Sequence, residues 1–215
     1  KNHLSSRSRA RDIKVVGITK IKNEGSLTAL AVEQWLRFCD HIIISDASDI
    51  DLAIKPTDFG STVTIINQIT PFKENLVYDQ LYSAAREKKA THILHFDVDE
   101  VLAPELSYSD FFDQISRLKI GESLAVKWAQ LFSNGRNFFE FNYNEAFQDI
   151  SFHRLLPQHK DLVFCDDGQS KHADLSLHCP TIPGGFPQKR FFSDFTLLHL
   201  EGLNIKHQIQ KYNHY

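Results

Sequence analysis

The 215-residue chain carries 24 Lys and Arg against 27 Asp and Glu, with 42% hydrophobic and 12% aromatic residues. That is enough apolar material for one substantial core, and without excess positive charge there is nothing to hold a polyanion by counterion release, so nucleic acid is not an expected partner. Cys39, Cys165 and Cys179 are odd in number and lack CxxC spacing, which argues against a disulfide framework or a zinc site and for a reducing, cytoplasmic setting.

Residues 1–12, with Arg7, Arg9 and Arg11 among serines, read as a flexible arm that is solvated or touches a membrane surface through anionic lipid. No apolar run approaches the ~20 residues of a membrane-spanning helix. No charged-then-apolar signal opens the chain, and a start at Lys1 instead of Met leaves room for an upstream segment. Residues 13–19 form a β-branched run, followed by the polar turn Lys22-Asn23-Glu24-Gly25 and a helical pattern over 26–39. Ser26 is its expected N-cap, and Leu27, Leu30, Ala31, Trp35 and Phe38 are its expected packed face. The apolar runs 42–44 and 63–66 suit strands covered on both faces, as in parallel sheets. A helix over 74–89, apolar at Leu76, Leu81, Ala84 and Ala85, precedes a fourth strand over 91–96 that breaks into acid at Asp97. This alternation predicts an α/β chain with a Rossmann-like, mostly parallel sheet built from crossovers. The second half reads as smaller and less regular. It offers a helix over 107–118, a strand over 124–132, an aromatic and polar stretch over 138–164 without a period, a loop over 180–187 around Gly184 and Gly185, and a terminal helix over 204–215.

Ligands of open parallel sheets bind beyond the carboxyl ends of the strands. Asp97 and Asp99 lie two residues apart where the fourth strand ends, so strand periodicity puts both carboxylates on one side. Two like charges so close repel unless a cation sits between them. An all-oxygen pair suits Mg²⁺ or Mn²⁺, which keep positions open for water and phosphate oxygens, so the ion would clamp a diphosphate and act as a Lewis acid. The plain alternative is a solvated acidic turn after a buried strand.

Three segments in this order resemble the family-2-like glycosyltransferases with a GT-A fold: residues 15–24, the strand 42–46 with Ser48 and Asp49 after it, and His95-Phe96-Asp97-Val98-Asp99-Glu100, a DxD segment. The resemblance covers most of the chain. It implies one domain over 13–215, with a nucleotide-sugar-binding half over 13–103 and an acceptor-side half over 104–215. It further implies that Lys22, Asn23, Glu24 and Asp46 border the base and ribose, that Asp97 and Asp99 handle metal and sugar diphosphate, and that Glu100 braces the turn. His199, within Leu197-Leu198-His199-Leu200, resembles the late strand histidine that completes the metal site. The activity implied is metal-assisted, inverting transfer of a sugar from a nucleoside-diphosphate donor, UDP-linked, to a glycan, lipid or protein acceptor.

Inverting transfer needs a general base at the acceptor hydroxyl. Asp166 and Asp167 stand in the chain where such a base is wanted, and no motif chooses between them; an ordinary turn fits them as well. Gly168-Gln169-Ser170-Lys171 and His178 resemble the family's region after the acceptor loop but depart from it in detail. Trp128 with Phe138, Phe139, Phe141 and Tyr143 would line an acceptor groove or simply fill core. Two rival readings remain open. A phosphatase of the haloacid dehalogenase type would use Asp97 and Asp99 with Asp166 and Asp167 as its later acidic pair, although Glu100 stands where that family has glycine. A catalytically silent sugar- or protein-binding domain would keep the fold alone.

Overall fold

The computed structural model describes residues 13–49, 55, 59–68, 72–103, 107–133, 138–141, 159–173, 181–184 and 187–202. The arm over 1–12, Tyr143, His178, Cys179, Gly185 and the terminal helix expected over 204–215 lie outside them, as do the side chains of Phe138, Phe139 and Phe141.

The apolar runs of the first half become β1 (Val15–Ile21), β2 (His41–Asp46), β3 (Val63–Asn67) and β4 (His92–His95). Two helices connect them: α1 (Gly25–Trp35) follows β1 and α2 (Glu74–Glu87) precedes β4. All three pairings among these strands are parallel, and their spatial order is β3, β2, β1, β4. The chain therefore leaves β1 in one direction and returns to its other side at β4. In such sheets a reversal of this kind marks the carboxyl ends of the flanking strands, here β1 and β4, as the edge where ligands bind.

Side chains alternate across the strands and feed two cores. Val15, Ile21, Ile42, Ile44, Leu94 and Phe96 pack with Trp35 of α1, while Val16, Ile18, Ile43 and Ile93 pack with Val77, Leu81 and Tyr82 of α2. The face of α1 differs from the sequence pattern. Its buried stripe is Thr28, Ala31, Val32 and Trp35, and Leu30 is 65% exposed. At about 100° per residue Leu30 lies some 200° from both Thr28 and Val32, on the outer side. Ser26 is not the N-cap either: the helix begins at Gly25 behind Glu24, whose carbonyl accepts from the Thr28 N–H at 3.1 Å. Its last turn is spent by Trp35, and Phe38 and Cys39 pack from the following turn.

Gly17 sits where these layers press closest. A Cβ there would meet Cys39 Sγ at 3.0 Å and both Ile42 Cγ1 and Phe96 Cε1 at 3.2 Å. Phe96, stacked on Trp35 with centroids 5.1 Å apart, is the residue before Asp97. Gly17→Ala therefore overpacks the contact that seats the acidic turn, and a loss of about 1–3 kcal/mol in urea unfolding is expected.

The second half continues the same sheet. After β5 (Glu100–Leu102) and α3 (Tyr108–Ile115), whose N-cap Ser107 accepts from the Asp110 N–H, come β6 (Glu122–Ser133), β7 (Phe138–Phe141), β8 (His159–Cys165) and β9 (Lys189–Gly202). Beyond β4 the order runs β8, β6, β9, β5, with β7 paired to β6. β8 is antiparallel to both β4 and β6, and β9 is parallel to β6 and antiparallel to β5. The irregular half expected from the sequence is thus corrected: among the described residues it is mostly strand, and the sheet is mixed. β8 was missed because its first three residues, His159, Lys160 and Asp161, are polar and only the short run from Leu162 to Cys165 is apolar.

Candidate functional site

The first turn at the carboxyl edge is clasped to the second. Asn23 adopts a left-handed φ of 60°, which asparagine tolerates better than other residues with a Cβ. Its N–H donates to Ser48 Oγ at 2.7 Å, its Nδ2 donates to Asp49 Oδ2 at 2.9 Å, and its Oδ1 accepts from the Asp49 N–H at 2.9 Å. Asp46 Oδ1 accepts from the Ser48 N–H at 2.7 Å. The structure thus brings Asn23 and Asp46 into one loop cluster, with Glu24 half-buried and Lys22 exposed beside it.

The acidic turn follows β4 on the neighbouring strand. Glu100 is 1% exposed and acts as its hub. One carboxylate oxygen accepts from the Asp97 N–H at 2.9 Å and from Lys160 Nζ at 2.5 Å; the other accepts from Trp128 Nε1 at 3.0 Å. Lys160 Nζ also donates to Asp97 Oδ2 at 2.9 Å. Burial opposes ionisation of Asp97, but the Lys160 ammonium, helped by His95 and Lys20, outweighs it and holds the carboxyl well below the usual carboxylate range. Burial and the neighbouring Asp97 push Glu100 up, against the pull of Lys160. Lys160 itself is raised, because the two carboxylates outweigh the burial that disfavours its charge.

Asp99 and His199 meet across the β5–β9 pair, where Glu100 lies opposite His199. Asp99 Oδ2 is 3.4 Å from His199 Nε2, and the Asp99 carbonyl accepts from the Leu200 N–H at 2.7 Å. Trp128, expected only as a groove or core aromatic, ties these pieces together: its ring lies 4.9 Å from that of His199 while its N–H holds Glu100.

Asp166 and Asp167 are not part of this edge, which corrects both their role as candidate bases and the phosphatase reading that needed them beside Asp97. Because β8 runs antiparallel to β4, its end lies at the start of β4: Cys165 pairs His92, and the Asp166 N–H donates to the Thr91 carbonyl at 3.1 Å. At ~3.3 Å per residue Asp166, beside Thr91, is roughly 20 Å from Asp97 along the strand. Asp166 is instead gripped by Arg86, Nε to Oδ2 at 2.7 Å and Nη2 to Oδ1 at 2.8 Å. Asp167 accepts from the Gln169 and Ser170 N–H groups at 3.0 and 2.8 Å. Asp166→Asn breaks a paired, buried carboxylate and is expected to cost about 1–3 kcal/mol in chemical unfolding while leaving nucleotide affinity unchanged in calorimetry.

Sequence reasoning missed Lys160. The available signal was a lysine opening the run His159-Lys160-Asp161-Leu162-Val163-Phe164-Cys165, and only the direction of β8 reveals which carboxylate it meets.

Three of the buried histidines among the described residues have depressed pKa values: His95 beside this framework, and His41 and His92 at the opposite edge, where β2 and β4 begin. His95, on β4 two residues before Asp97, is 4% exposed, and neither ring nitrogen has a hydrogen-bond partner among the described residues. Burial, reinforced by Lys160 and opposed by Asp97, pushes its pKa well down. His41 is lowered by burial, then by Lys88 and Lys14, and His92 by burial against a bond to the Ile115 backbone. With folded pKa values below the ordinary ~6.5, these groups bind more protons in the unfolded chain. Their contribution is present above that pH and is lost as pH falls toward the folded values. The melting temperature should therefore drop between pH 7 and 5, with about 1.4 kcal/mol per unit of depression, and His95→Phe should flatten the slope.

No family model and no curated protein matches the chain. Among solved structures, the CTP complex of CMP:2-keto-3-deoxy-manno-octonic acid synthetase matches at TM-score 0.35 and 12% identity, over 56% of this chain and 54% of that one. S. aureus TarS, residues 1–349, matches at TM-score 0.36 and 15% identity, over 58% of this chain and 38% of that one. The chain thus spans about half the length of the first and under two fifths of the second. At these scores neither neighbour bears on activity, and the functional reading rests on the site. No helix among the described residues is long and apolar enough to cross a membrane.

Proposed function

We propose that the chain is a glycosyltransferase that binds a nucleoside-diphosphate sugar, UDP-linked, at the carboxyl edge of its sheet with the help of Mn²⁺ or Mg²⁺. The observation that carries this reading is the convergence there of the clasped turns after β1 and β2, the turn Asp97-Val98-Asp99-Glu100, and His199 from β9. The clasped turns form a wall for a base and ribose, and the acidic turn stands at the end of the neighbouring strand. Among the described residues no group of three or more His, Cys, Asp or Glu could hold a metal ion, so Asp99 and His199, 3.4 Å apart where adjacent octahedral ligands at ~2.1 Å are ~3.0 Å apart, would supply two ligands and leave the rest to water and phosphate oxygens. When bound, that ion would supply charge to a departing diphosphate.

The chain's own part is orientation. Glu100 fixes the turn through Asp97 and Trp128, and Trp128 packs on His199, so ligand and support move as one body. With Asp166 and Asp167 at the opposite edge, the general base would be another residue. Calorimetry of nucleoside diphosphates with Mn²⁺ tests the reading, with UDP expected to bind. No heat with any nucleoside diphosphate would sink it; binding without hydrolysis or transfer would favour the silent-domain reading.

A further inference from the structure

Lys160 reaches the acidic turn through strand register. Leu94 pairs Val163 in the antiparallel β4–β8 ladder, and three residues further along each strand position 160 comes beside position 97. The side chain is 13% exposed, and its ammonium closes a ring that runs from the Asp97 carboxylate through Nζ to Glu100 Oε2 and back to the Asp97 N–H. The sequence sets Asp97 against Asp99; in the fold the carboxylates that share a cation are Asp97 and Glu100, and that cation is a side chain. A divalent ion placed against the same oxygens would face a fixed positive charge within hydrogen-bond distance of them, and Glu100 is further tied up by Trp128.

We infer that the Lys160 ammonium is the resident cation of the acidic turn, holding Asp97 and Glu100 out of any metal shell, so that a divalent ion is held by Asp99 and His199. The inference rests on the transferase reading for the ion's purpose but not for its place. Lys160 is a positioning residue: it sets the turn before ion or nucleotide arrives. Its removal leaves two carboxylates joined through a backbone N–H around a vacated cation position, which is a latent site for a hard ion.

The test uses Mn²⁺ alone with the whole chain, followed by electron paramagnetic resonance, so a failed transferase reading does not affect it. Asp97→Asn is expected to leave Mn²⁺ affinity within about twofold of the parent, because its backbone N–H still holds Glu100, while Asp99→Asn removes a ligand and weakens it at least about tenfold. Lys160→Ala is expected to gain a second Mn²⁺ site, with its own spectrum, that Asp97→Asn in the same chain removes. Equal losses from Asp97→Asn and Asp99→Asn overturn the inference, as does a folded Lys160→Ala chain that binds Mn²⁺ as the parent does. If Lys160→Ala does not fold, the two aspartate variants still decide it. A parent chain with no Mn²⁺ site overturns the assignment to Asp99 and His199.

Discussion

Glu100→Ala is expected to destabilise the chain by about 3–5 kcal/mol, the range for removing one partner of a buried ion pair. The carboxylate is 1% exposed and satisfies three donors: the Asp97 N–H, Trp128 Nε1 and Lys160 Nζ. Its loss leaves an indole N–H and an ammonium short of acceptors in a desolvated place, and the cavity admits no simple replacement. Glu100→Gln keeps an oxygen and the shape, so a smaller loss of about 1–3 kcal/mol is expected. Urea unfolding followed by tryptophan fluorescence measures both. Equal stability of parent and Glu100→Ala would mean the turn is held by something other than this residue.

Asp99→Ala carries the largest expected effect on ligand binding. Asp99 and His199 are 3.4 Å apart on β-structure whose pairing is fixed by backbone bonds, so the pair is arranged before an ion arrives. Taking away the carboxylate leaves one imidazole, and Mn²⁺-dependent nucleoside diphosphate affinity should fall by about a hundredfold, or ~2.7 kcal/mol. The Leu200 N–H is unaffected, because the Asp99 carbonyl and not its side chain accepts it. Titration calorimetry with and without chelator separates the metal-dependent loss from any general weakening.

The parallel half was legible because its signals are local. Ile42, Ile43 and Ile44 are each fully buried and could be read as a strand covered on both faces without knowing its neighbours. The helix over 74–89 was legible through Leu81 and Ala85, both buried, whereas Leu76, read as apolar with them, is exposed and Val77 is buried in its stead. The pairing of Asp99 with His199 was reached by resemblance and not by physics, since nothing local joins positions a hundred residues apart. Leu30 and Ser26 show where pattern reading overreaches: an apolar residue was placed on the packed face, and a serine at a cap, on identity alone.

In the second half the helix over 107–118 and the strand over 124–132 were legible, as α3 and β6, but the placement of its site residues was not, for a physical reason. Strand direction decides which end of β8 lies at the carboxyl edge, and direction follows from pairing with β4, a contact across some seventy positions of sequence. Reading along the chain singled out Asp166 and Asp167 and passed over Lys160. Antiparallel pairing reverses this, delivering the lysine to the acidic turn and sending the aspartates to Arg86 at the far edge.

Diffraction at the manganese absorption edge, from crystals holding Mn²⁺ and UDP, addresses the central claim most directly. The account predicts an anomalous peak within coordination distance of both Asp99 and His199, with the diphosphate beyond it and the base against the turn of Asn23. Manganese and nucleotide ordered at the opposite edge, beside Arg86 and Asp166, would contradict it.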